Sequence, residues 1–175
     1  MKKACILFAI AIGACGKHGA PVSFGGKKVG DADFSMEIPP DWDQRVAPAA
    51  MVRFVARAPL ESADDKYHET VNVVITTVGR STTPDMLVQA ARDRMAKQSG
   101  ELRLQEVGSG NWSDSGFDGR FLEFRRSTES LKLHAIDYII LKDEKVYLLT
   151  CGAEDSTYDK YAPQFKQIAA SFAPK

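Results

Sequence analysis

The stretch LKLHAIDYIILKDEKVYLLTC, residues 131–151, decides the fold class. Residues 131–141 and 145–151 read as two strands with a short turn between them that includes Asp143 and Glu144. A strand with one face in water alternates apolar and polar residues. The centres of these two, 138–141 and 146–150, are apolar at nearly every position, so both faces need cover. Helices on the two faces of an antiparallel sheet would supply it. The expected architecture is therefore α+β, a three-layer α/β/α sandwich.

Upstream, GRFLEFRRS (119–127) is a third strand close enough in sequence to complete an antiparallel meander. Earlier strands are expected at 34–38 (FSMEI, stopped by Pro39 and Pro40), 51–58 (MVRFVARA, before Pro59), 70–78 (TVNVVITTV) and 102–107. Helical spacing replaces the period of two in only two places. Over 83–99, Met86, Leu87, Ala90, Ala91 and Met95 recur at three- and four-residue intervals behind Pro84, with Thr83 as cap and Gly100 as stop. Over 156–172, Tyr158, Tyr161, Phe165, Ile168, Ala169 and Phe172 form one stripe that Pro163 interrupts. That pattern predicts a short turn followed by a longer helix from near Ala162.

The order of these segments resembles the PsbP-like proteins, among them the extrinsic photosystem II subunit, the DcrB-type bacterial lipoproteins and an import factor that binds the GTPase Ran. The residues that carry the resemblance are FSMEIPPDW (34–42), VNVVITTV (71–78), the helix behind Pro84, GRFLEFRR (119–126), VYLLTCGAE (146–154) and the closing IAASF (168–172). These are packing features, so what they imply is a fold. For function the resemblance implies an accessory module that docks onto a protein partner.

The first fourteen residues have the parts of an export signal: Lys2 and Lys3, an apolar stretch over 4–12, then Gly13 and Ala14. The apolar stretch is too short to span a bilayer, which needs ~20 residues. Ile12, Gly13, Ala14 and Cys15 resemble the lipobox of bacterial lipoproteins, which implies that Cys15 is lipidated and becomes the new amino terminus. The other reading is a plain signal peptide cut nearby, with Cys15 a bystander. Residues 15–31 carry several glycines and lysines and few large apolar groups, the composition of a flexible tether. Residues 32–175 are then one folded domain. Gly16 stands where an Asp would retain an enterobacterial lipoprotein in the inner membrane, so the outer membrane, facing the periplasm, is the expected address.

Without Lys2 and Lys3 the 23 basic side chains fall to 21 against 23 acidic ones, a balance that gives no reason to expect nucleic acid or an anionic membrane surface as partner. Of the three cysteines, Cys5 leaves with the signal and Cys15 takes lipid. Cys151 stays alone in an apolar strand, where a small buried hydrophobe is expected. The three histidines, His18, His68 and His134, are far apart, and no phosphate loop, nucleophile elbow or zinc spacing occurs. Asp64, Asp65 and Glu69, with Lys66 and His68, could hold calcium but read as an acidic solvated loop. His134, Asp137 and Tyr138 are the compact titratable group, yet alternation sends Asp137 to the opposite face. Arg125 and Arg126 read as a solvated edge, and Trp42 as a seal at one end of the sheet.

No catalytic residue, metal site or cofactor is expected. The function expected is a non-enzymatic envelope lipoprotein, held to the membrane through Cys15 and binding an envelope protein. A small-ligand or metal-binding domain with a cleft beside the sheet is the alternative. The two are told apart by whether the surface offers an apolar docking patch or a concave pocket with converging polar groups.

Overall fold

The computed structural model describes residues 23–45, 51–63, 65, 67–97 and 103–175. Along the chain these form β1 (Lys27–Gly30), β2 (Phe34–Ile38), β3 (Asp43–Arg45), β4 (Val52–Arg57), β5 (Thr70–Thr77), α1 (Pro84–Lys97) and β6 (Arg103–Trp112). Then follow β7 (Gly119–Ser127), β8 (Lys132–Lys142), β9 (Lys145–Glu154), α2 (Tyr158–Ser171) and β10 (Ala173–Pro174). The large sheet has the order β3-β4-β5-β9-β8-β7-β6, and a small one has β1-β2-β10. Every pairing is antiparallel.

The meander read from the sequence is present as β7, β8 and β9, and β6 extends it at the edge. Asp143 and Glu144 form the two-residue turn between β8 and β9, with φ of 50° and 62°, the left-handed pair of a type I′ hairpin. Lys142 faces Lys145 across the last rung.

Strand alternation sorts the apolar residues of β8 and β9 into two sets. Ile136, Tyr138, Ile140, Tyr147, Leu149 and Cys151 share a core with Phe165, Ile168 and Ala169 of α2 and with Phe34, Met36 and Ile38 of β2. Ile139 and Val146 pack with Val88 of α1 on the other face, with Leu87, Leu141 and Leu148 at the margin. Trp42 seals one end of the larger core, edge-on to Phe165 at 6.4 Å between centroids.

Antiparallel sheets with two helices are therefore what stands of the expected sandwich. The molecule is mostly sheet, and α1 has Val88 as its only buried residue, a narrow cover that falls short of a full third layer. Its inward stripe is Leu87, Val88, Ala91 and Met95, while Met86 and Ala90 are exposed, so the face expected from the sequence is rotated toward Val88.

The closing helix differs from expectation too, because α2 continues through Pro163. The missing N–H affects one bond, in the amino-terminal half of the helix. Burial of Phe165, Ile168 and Ala169, worth ~1.5–3 kcal/mol for each large side chain, outweighs the break. Thr157 stands at the helix start without capping it; its hydroxyl donates instead to Glu69 Oε1 at 2.9 Å.

Lys27–Gly30, which composition places in the tether, is a strand paired with β2, so the ordered domain starts earlier than residue 32. On the other side of β2 lies β10. There the Lys175 N–H donates to Asp33 O at 2.8 Å, and Lys175 Nζ donates to Asp31 O. Both ends of the domain are thus fastened to one strand.

Candidate functional site

Cys15, the expected lipid carrier, lies outside the described residues, as does the rest of the export signal. The described chain begins at Ser23, and its first residues are held by Glu37. The Ser23 hydroxyl donates to Glu37 Oε1 at 2.6 Å, and the N–H groups of Phe24 and Gly26 donate to Oε2 at 3.0 and 3.1 Å. Two glycines make this wrap possible. Gly25 has φ +78°, and a Cβ on Gly26 would stand 2.6 Å from Ile38 O. The Ser23 hydrogen bond, with help from the amides and against the cost of burial, holds the Glu37 carboxyl below its ordinary range. Glu37 N–H in turn donates to Ser171 Oγ at 2.9 Å, joining the clamp to the end of α2.

A second polar cluster lies under the start of α2. His134, 5% exposed, stacks on Tyr158 with centroids 3.5 Å apart. Its Nε2 is 2.8 Å from Glu123 Oε1 and its Nδ1 is 3.6 Å from Asp155 Oδ1. Arg125 Nε, 2.6 Å from the same Asp155 oxygen, completes the group. Asp137 is on the opposite face, as alternation requires, with its carboxylate on the Thr150 hydroxyl. Burial and the nearby Glu123 carboxylate push the Tyr158 phenol upward, so it stays protonated. The Cys151 thiol is pushed well above its usual value by complete burial, which leaves it without reactive thiolate.

The expected acidic loop does not assemble as a unit. Asp65 accepts the N–H groups of Glu61 and Tyr67, both at 3.0 Å, while Glu69 is buried and turned to Thr157. His68 Nδ1 lies 2.7 Å from Ala58 O, and Asp64 and Lys66 fall outside the described residues. Among the described residues no group of three or more His, Cys, Asp or Glu side chains is arranged to hold a metal ion. No helix among them is long and apolar enough to cross a membrane.

A cleft of about 540 Å³ opens between α1 and the β6–β7 edge, with Met86 exposed at its lip. That volume suits a small ligand. The charges in its walls are already used, however. Arg92 makes two 2.8 Å hydrogen bonds to Glu106 and one of 2.7 Å to Ser109, and Arg120 pairs with Asp85 at 2.7 Å.

Sequence reading missed Glu37, Glu123 and Asp155. The signal for the first was the Gly25–Gly26 pair, which is unsuited to a phosphate but suited to wrapping a carboxylate. Glu123 and Asp155 carried no signal, since strand register alone brings them to His134.

Residues 29–173 match the PsbP family. No curated protein matches the sequence at a significant level. Among solved structures, the cyanobacterial PsbP (CyanoP) of Synechocystis sp. superposes with a TM-score of 0.67 at 18% identity, covering 94% of this chain and 99% of that one. LpqN of Mycobacterium tuberculosis, described as involved in cell envelope biogenesis, gives 0.62 at 15% identity, covering 85% and 90%. A Pseudomonas aeruginosa protein of unknown function gives 0.59 at 14% identity, covering 85% and 96%. At these identities the likeness is one of fold.

Proposed function

The chain belongs to the PsbP family, and on that premise we propose that it is a lipid-anchored envelope protein acting as a non-enzymatic accessory module for a protein partner. The observation that carries this reading is the family match over 29–173 directly behind a segment containing Ile12, Gly13, Ala14 and Cys15. The envelope role given for LpqN, which has the same fold, supports the location. Support for the non-catalytic part is chemical. His134 is buried against Tyr158 and flanked by Glu123 and Asp155, Arg125 is paired with Asp155, Tyr158 and Cys151 are held protonated, and the arginines of the α1 cleft are bonded to its own walls.

In this reading Cys15 carries the lipid, and a two- or three-chain anchor is stable because each buried methylene contributes ~0.8 kcal/mol. Gly16 directs the protein to the outer membrane, facing the periplasm. Metabolic labelling with a fatty acid tests the anchor: wild type should take up label and Cys15→Ser should not. Fractionation with inner-membrane markers alone would overturn the address. Crosslinking in intact cells should yield one recurrent protein adduct, and its absence across several crosslinker lengths would overturn the accessory role.

A further inference from the structure

If residues 15–31 were all free, as composition suggests, a lipid on Cys15 would leave the domain able to turn any side to the membrane. Sixteen steps at ~3.5 Å reach ~56 Å, more than the roughly 40 Å width of a domain of ~150 residues with a radius of gyration of ~15 Å. The structure shortens that leash twice. Pairing of β1 with β2 fixes the chain from Lys27 onward, and the Glu37 carboxylate fixes it from Ser23. Eight steps remain between Cys15 and Ser23, at most ~28 Å. That is less than the width of the domain, so the side where Ser23 emerges must stay near the anchoring point.

The same side carries unpaired positive charge. Lys28 lines a hollow with Ser23, Glu37 and Ser171. Lys166, on the outward side of α2, lines a cleft with Phe24, Gln167 and Asp114. Neither lysine is in an ion pair with a described residue; the Glu37 carboxylate opposite Lys28 is turned to Ser23, Phe24 and Gly26, and Asp114 is the acid in the Lys166 cleft. The side bearing α1 belongs to the opposite face of the large sheet.

We propose that the face formed by β1 and the outer side of α2 rests on the phospholipid headgroups of the anchoring membrane, with Lys28 and Lys166 toward their phosphates and the Glu37 clamp holding the domain in that orientation. This rests on lipidation at Cys15. It leaves α1 facing away from the membrane, toward whatever protein the module serves.

The test uses full-length acylated protein in vesicles of phosphatidylethanolamine and phosphatidylglycerol containing a headgroup-attached quencher. A single fluorophore is placed by Gln167→Cys near the exit, or by Gln89→Cys on α1, in a Cys151→Ala background. Quenching at position 167 should exceed that at 89 by severalfold. Ser23→Ala, which loosens the clamp at a surface residue, and the double change Lys28→Glu with Lys166→Glu should each bring the ratio below about two while the protein still sediments with vesicles. Vesicle-bound protein with equal quenching at the two positions would overturn the orientation alone. Failure of the acylated preparation to sediment with vesicles would overturn the anchor reading, and this inference with it.

Discussion

Asp137 Oδ1 accepts the Thr150 hydroxyl at 2.6 Å across the β8–β9 ladder, on the face of the sheet that α1 covers. Burial is the main influence on this carboxyl and pushes its pKa up to about 6; the Thr150 hydrogen bond and the Arg94 charge pull the other way.

A folded pKa above the unfolded value of ~3.9 means the native state binds the proton more tightly. The stabilising effect is complete below pH ~4 and fades as pH rises through about 6. Asp137→Asn keeps the Thr150 acceptor and removes the charge from this half-buried site. It should raise stability at pH 7.5 by on the order of 2 kcal/mol and flatten the fall between pH 4 and 7. Denaturant titrations at several pH values read both quantities; an unchanged slope in the variant would refute the assignment.

Cys151 is 0% exposed and faces α2 across the larger core. In a protein lacking Cys15 it should react with a thiol reagent only slowly in native buffer and at once in denaturant. Cys151→Ala should cost of order 1 kcal/mol through lost packing. Fast native labelling would contradict the burial.

The hairpin turn places two side-chain-bearing residues at positive φ, Asp143 and Glu144. Asn and Gly suit a type I′ turn far better. Asp143→Asn with Glu144→Gly should gain ~0.5–1 kcal/mol. The Arg80–Glu144 pair that is lost has a 92% exposed Arg80 side chain and contributes little. Thermal melts would show the gain, and a lower melting temperature would count against the strain.

The two helices should differ in resistance to opening. Phe165 and Ile168 are each 1% exposed or less, whereas α1 buries only Val88. Ile168→Ala should cost ~2–5 kcal/mol and Met86→Ala, at 55% exposure, within ~0.5 kcal/mol. Hydrogen exchange should protect α1 amides less than those of α2; equal protection would mean that α1 is held by more than its buried contacts.

The long strands were legible because their chemistry repeats with period two over many residues. FSMEI and GRFLEFRRS were placed to the residue. Alternation also separated Asp137 from His134 correctly. The short strands β1, β3 and β10, of four, three and two residues, had too few positions to show a period, and KKVG looked like tether. Pro163 is a local helix breaker whose effect is outweighed by the burial of Phe165 and Ile168 against the sheet, which the local sequence does not display. Glu37 reads as the polar half of an alternating strand; that it is 5% exposed depends on residues 23–26 folding back over it, which no local pattern announces.

The fastening of both ends of the described domain to β2 has a consequence for the order in which the molecule can be completed. Ser35 waits for Ala173, and Glu37 waits for Ser171, 134 residues away. A chain delivered amino end first can pair β1 with β2 at once, but β2 must remain half-paired until residues 173–174 arrive. Contacts so distant in sequence are slow to form, because the intervening loop must close before they stabilise anything. Deleting only the last three residues should therefore leave the large sheet intact and the small one open along β2.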